Sequence, residues 1–99
     1  MEGAYSREQL AKLLAPVFRR NHIRKATLFG SHAKGSATEK SDVDLMVDSG
    51  LHGLAFFGLL EDVNTSLHCD VDLIDSADII PDSQIDREIR KTGVVIYEG

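Results

Sequence analysis

Asp42-Val43-Asp44-Leu45-Met46-Val47-Asp48 is the segment that most restricts what this chain can become. Val43, Leu45 and Val47 alternate with Asp42, Asp44 and Asp48, and alternation at period two marks a strand buried on one side. Successive strand side chains point to opposite faces, so Asp42 and Asp44 share one face and Val43 and Leu45 the other. The apolar face has to pack against helices, which leaves both carboxylates displayed together on the opposite side.

The rest of the chain supplies those helices. Ser6 and Gln9 have the spacing of a capping box, and Leu10, Leu13, Leu14, Val17 and Phe18 recur at helical intervals, which predicts a helix over 6–20. Pro16 falls inside it; a mid-helix proline costs about 3 kcal/mol or more, so a kink or two shorter pieces is expected. Lys25–Phe29 suits a strand ending at Gly30, Ser31–Gly35 a short helix, and 36–41 a polar connection. A second long helix is expected over 51–67, carrying Leu54, Phe57, Leu60 and Leu67, and a strand over Val71–Asp75. Pro81 introduces a helix over 82–91 with Ile85 and Ile89 on one face, Gly93 caps it, and 94–97 form a last strand. This order predicts an α+β fold, a mixed sheet backed by helices, in a single domain over 1–99. At 99 residues the chain is near the lower limit for burying an adequate core, with no room for a separate acceptor-binding domain.

Composition removes several classes of function. A net charge of −5 argues against sequence-independent nucleic-acid binding, which needs a cationic face. The basic clusters Arg19, Arg20, Arg24, Lys25 and Arg87, Arg90, Lys91 read as solvated faces. Cys69 is alone, so neither an internal disulfide nor a cysteine-rich zinc site is available, and it reads as a small apolar side chain. His22, His52 and His68 show no metal-ligand spacing. No apolar run approaches the roughly 20 residues that span a bilayer. Met1-Glu2-Gly3-Ala4 lacks the basic flank and apolar core of a signal sequence, so a cytoplasmic location is expected.

Gly30-Ser31 precedes the acidic pair at a distance that lets the chain fold back on it. Gly30 permits close approach of backbone to a phosphate, a helix starting at Ser31 aims free N–H groups at an anion, and the Ser31 hydroxyl adds a donor. Gly35 allows the tight return. Two adjacent carboxylates repel, and each raises the other's pKa unless a cation lies between them. Magnesium relieves that repulsion and favours one or two carboxylates together with substrate phosphates. The layout therefore suits a divalent metal and a nucleoside triphosphate. With Gly, Ser and Asp each at about 5–10% usage, this four-residue spacing arises by chance in under about 1% of chains of this length. The bland alternative is a turn followed by a solvated acidic edge strand.

Gly30-Ser31-x-Ala33-x-Gly35, about five further residues, then Ser41-Asp42-x-Asp44-Leu45 resembles the signature of minimal nucleotidyltransferases in the DNA polymerase beta superfamily. Val71-Asp72-Leu73-Ile74 is similar to the strand carrying that family's third carboxylate, and the segment from Ile85 to Glu98 to its closing helix and strand. By parity either Asp70 or Asp72 reaches the site. The family pattern favours Asp72, while Asp75, of opposite parity, is expected to cap or turn the chain. The resemblance implies transfer of a nucleoside monophosphate, AMP from ATP foremost, to a hydroxyl with release of pyrophosphate. Two Mg2+ ions would be held by Asp42, Asp44 and Asp72, with Asp72 also taking the acceptor's proton. Gly30 and Ser31 would hold the triphosphate, with Lys34 as a further candidate, whereas His32 fills a variable position of the pattern.

Stand-alone domains of this size resemble the antitoxin halves of two-gene systems whose partner is a HEPN ribonuclease toxin. In that family AMP is added to a tyrosine of the toxin, and a chain lacking an acceptor domain fits, since the partner is the acceptor. Two other readings stand beside it. One is a non-catalytic antitoxin that masks its partner. The other is a transferase for an antibiotic-type small molecule, its acceptor pocket formed across a dimer. A homo- or hetero-oligomer is compatible with each.

Overall fold

The computed structural model describes residues 4–99; Met1-Glu2-Gly3, read above for a targeting signal, lie outside the described residues. Helix α1 (Arg7–Arg20) begins at the expected capping box: Gln9 N–H donates to Ser6 Oγ at 3.0 Å, and Ser6 N–H to Gln9 Oε1 at 2.8 Å. It runs through Pro16 as one continuous helix, so of the two expected outcomes, a kink or two shorter pieces, the division does not occur. The proline takes a partner only from the Lys12 carbonyl, and Lys12 and Pro16 both lie on the exposed side, open to solvent.

β1 (Lys25–Phe29), α2 (Ser31–Lys34), β2 (Val43–Asp48), α3 (Leu54–Ser66), β3 (Val71–Asp75), α4 (Gln84–Thr92) and β4 (Val94–Glu98) follow, with a 3-10 turn at Ser76–Asp78. The strands form one four-stranded sheet in the order β3-β2-β1-β4. β1 is antiparallel to β2 and to β4, while β2 and β3 are parallel. A parallel pair needs a crossover, and α3 is that crossover. The result is the mixed α+β sheet expected from the element order.

Two helices start later than their sequence suggests. Leu51 N–H bonds to Ser49 Oγ at 3.0 Å and stays outside α3. Asp82 takes a positive φ of 63°, and α4 begins only after Ser83, whose Oγ accepts from Asp86 N–H at 3.2 Å. Gly93 does cap α4, but in an extended conformation (φ −61°, ψ 135°) rather than the commoner left-handed one. Its N–H reaches the Ile89 carbonyl at 2.7 Å, and a side chain there would run into that same carbonyl.

The core occupies one face of the sheet. Val43, Leu45 and Val47 of β2 and Ala26 and Leu28 of β1 pack against Leu10, Leu14, Val17 and Phe18 of α1 and Leu59 and Val63 of α3. Burying each large side chain contributes roughly 1.5–3 kcal/mol. Between α1 and α3, Asp62 takes the Arg20 guanidinium at 2.7 Å and the Asn21 amide at 2.9 Å. Arg24 pairs with Asp48 at 2.8 Å and Arg90 with Asp82 at 2.8 Å, so the basic clusters are partly neutralised locally. Among the described residues no helix is long and apolar enough to cross a membrane.

Candidate active site

The period-two pattern of β2 leaves Asp44 on the face away from the core, half-buried between β1 and β3. Parallel pairing sets Asp72 directly opposite it, and antiparallel pairing sets Phe29 on its other side. Burial pushes the Asp44 carboxyl up to about 6, and Asp72 beside it adds to the shift, followed by the charges of Asp42 and Glu88. Asp42 lies one residue before β2 and is exposed. Asp70 precedes β3 and is also exposed; its carbonyl accepts the Val43 N–H at 3.0 Å. Of the two acidic residues that share parity, Asp72 is therefore the one beside Asp44.

The Gly30 turn closes over this pair. Gly30 has φ +74°, and a Cβ there would collide with Asp44 Oδ2, so glycine alone lets the backbone rest against the carboxylate. Ser31 opens α2, whose four residues end at Gly35 in a left-handed conformation with φ +79°. The N–H groups of the first turn have no partner inside the helix. The N–H of Gly30, which precedes the helix, is taken by Thr92 Oγ1 at 3.0 Å. Lys34 closes α2 through its N–H to the Gly30 carbonyl at 3.1 Å and is exposed.

Three residues that the motif does not single out also bear on this site. His32 is buried, with Nδ1 3.1 Å from the Asp42 carbonyl, and only a protonated Nδ1 can donate to that oxygen. Burial lowers its pKa and outweighs the opposing effect of the carbonyl, so the ring is held neutral and fastens the backbone of Asp42. From α4, Glu88 raises Asp44 by its charge and Thr92 holds Gly30. Asp75, by contrast, turns the chain as its parity indicated. It accepts from Ser49 N–H at 3.1 Å and from Ala77 N–H at 2.9 Å.

Among the described residues no three acidic, histidine or cysteine side chains are gathered into a cluster that could hold a metal ion as it stands. What is present is a close carboxyl pair whose mutual repulsion a cation would relieve. Its hard oxygen donors suit Mg2+, which takes one or two carboxylates and completes its shell with phosphate and water. The donor set fits the ion.

The family model for polymerase beta nucleotidyltransferases matches residues 12–99. The chain belongs to this family. Solved structures show the same nucleotidyltransferase fold. A toxin–antitoxin structure with AMP-PNP superposes with a TM-score of 0.73 at 23% identity, covering 90% of this chain and 73% of that one. A tri-AMPylated Shewanella oneidensis HEPN toxin in complex with MNT antitoxin gives 0.68 at 20% identity, covering 94% and 73%. The toxin–antitoxin MntA–HepT gives 0.65 at 21% identity, covering 91% and 71%. No curated protein matches this nucleotidyltransferase by sequence.

Proposed function

We propose that this nucleotidyltransferase moves AMP from ATP to a hydroxyl, a tyrosine of a HEPN-type toxin, and acts as that toxin's antitoxin in the cytoplasm as a single minimal domain. The observation that carries the chemistry is the Asp44–Asp72 pair lying under the Gly30-Ser31 turn. Support for the partner comes from the structural neighbours, which include a tri-AMPylated HEPN toxin in complex with MNT antitoxin.

Each chain residue then has a defined task. The Ser31 hydroxyl and the first-turn N–H groups of α2 receive the β- and γ-phosphates, with Lys34 near enough in sequence to add charge. Asp72 takes the proton from the acceptor hydroxyl. The hydroxyl oxygen bonds to the α-phosphorus as the bond from that phosphorus to the α–β bridging oxygen breaks, and pyrophosphate leaves. Two Mg2+ ions held by Asp42, Asp44 and Asp72 would supply hydroxyl activation and neutralise the triphosphate. His32 keeps Asp42 in place through its backbone.

The test uses α-labelled ATP, Mg2+, the chain and a HEPN partner, beside Asp44→Asn. Label on the partner with intact Asp44 only is the expected result; equal labelling by Asp44→Asn overturns the assignment. A second reading, masking without chemistry, is favoured by α3, where Leu54 is 88% and Phe57 55% exposed. Under that reading Asp44→Asn would still neutralise the toxin.

A further inference from the structure

We propose that Thr92 is a positioning residue for the nucleotide site and acts through the Gly30 N–H; the inference rests on the nucleotide reading above. Thr92 lies in the last turn of α4, 62 residues from Gly30 in sequence. Its hydroxyl donates to the Glu88 carbonyl at 2.9 Å. A hydroxyl has one proton, so with that proton committed the oxygen can only accept from Gly30, whose N–H reaches it at 3.0 Å.

Gly30 is thus gripped on two sides. Thr92 holds its N–H, and the Asp44 carboxylate lies where its side chain would be. The positive φ of 74° gives the turn one narrow conformation, and the Ser31 hydroxyl and the first N–H groups of α2 follow directly from it. Thr92 is itself presented on a fixed support. The Gly93 N–H closes α4 on the Ile89 carbonyl at 2.7 Å, and β4, which follows at once, pairs with β1. The closing helix and strand therefore decide where the phosphate donors stand relative to Asp44, although Thr92 touches neither phosphate nor metal in this arrangement.

Thr92→Val keeps the shape and removes the hydroxyl, leaving the N–H of buried Gly30 without its partner. Thr92→Ser keeps the hydroxyl and drops the methyl. We would measure Mg2+–AMP-PNP binding by calorimetry, transfer from α-labelled ATP, and amide hydrogen exchange at Gly30. Loss of one such bond corresponds to about three- to tenfold, so Thr92→Val is expected to weaken nucleotide binding and speed Gly30 exchange by that factor. Thr92→Ser is expected to restore both. Thr92→Ala serves as the hydroxyl-free variant if the valine form does not fold.

Hydroxyl-free variants with unchanged binding and unchanged Gly30 exchange overturn the inference. So does a serine variant as impaired as the valine one, since methyl packing would then be what matters. An unaltered chain that neither binds Mg2+–AMP-PNP nor transfers label overturns the nucleotide reading and this inference with it. An active unaltered chain with equally active hydroxyl-free variants removes the inference alone.

Discussion

Asp44 on β2 and Asp72 on β3 stand opposite each other in parallel register, and Asp72 helps hold the Asp44 carboxyl above its ordinary range. Core packing on one side of β2 forces the pair onto the other, and the Gly30 turn limits the solvent that could screen it. The site thus carries an electrostatic cost in the metal-free chain.

That cost has a sign. Asp44 sits at about 6 in the folded chain against an ordinary 3.8. A raised carboxyl contributes stability that is complete below the unfolded value and is lost as pH rises through the folded one. Between pH 4 and 6 the metal-free protein should therefore lose stability from this group, on the order of 1 kcal/mol once solvent screening is allowed for. Asp44→Asn should abolish transfer yet unfold at a higher urea concentration than the unaltered chain at pH 7.5, with the difference shrinking at pH 4. A destabilised Asn variant at pH 7.5 would contradict this account.

Metal binding should carry the opposite dependence. Mg2+ competes with the proton on Asp44, so Mg2+-induced thermal stabilisation should be present at pH 7.5 and fade as pH falls through about 6. Differential scanning fluorimetry with and without Mg2+ at both pH values checks it. Asp44→Asn should show no such stabilisation at either.

Gly30→Ala places a methyl group against Asp44 Oδ2 and forces an alanine into φ +74°. Backbone strain of this kind costs about 1–3 kcal/mol. Reduced chemical stability and loss of transfer should appear together, and a fully active alanine variant would show that the turn does not need to touch Asp44.

His32 gives a pH effect of its own. Its pKa is lowered by burial, so the folded state resists a proton that the unfolded chain accepts near 6.5. Stability from this group is present above pH 6.5 and falls below it. His32→Asn retains a donor for the Asp42 carbonyl but does not titrate. Its urea midpoint should be lower than that of the unaltered chain at pH 7.5 and should change less between pH 7.5 and 5.5.

Asp75→Asn separates structural from chemical carboxylates. Burial pushes the Asp75 carboxyl up, but hydrogen bonds from Ser49 and Ala77 outweigh this and hold it low. Its Oδ1 takes the Ser49 hydroxyl at 2.5 Å in a buried setting. The variant should lose about 1–3 kcal/mol while retaining Mg2+ stabilisation and transfer measured at low temperature.

Much of this arrangement is legible along the chain because it is local. Alternation at Asp42–Asp48 puts the acidic pair on one face, the Ser6–Gln9 box starts α1, and the glycines at 30 and 35 allow the turn. The helices expected from 51 and 82 begin later because Leu51 and Asp82 enter turn hydrogen bonds that propensity does not reveal. Pro16 does not divide α1, since the carbonyl it leaves without a donor lies on the exposed side of the helix.

By itself the sequence determined the element order, the buried face of β2 and the pairing of a glycine turn with two carboxylates, since each follows from spacing within a few residues. Strand parity left Asp70 and Asp72 open, with the family pattern favouring Asp72; tertiary structure placed Asp72 beside Asp44 and alone decided that His32 fastens Asp42 and that Thr92 occupies the Gly30 N–H. Strand register across the α3 crossover and the docking of α4 are set by the packing of the whole core and by the Gly93 closure. Neither leaves a periodic trace in the residues it brings together.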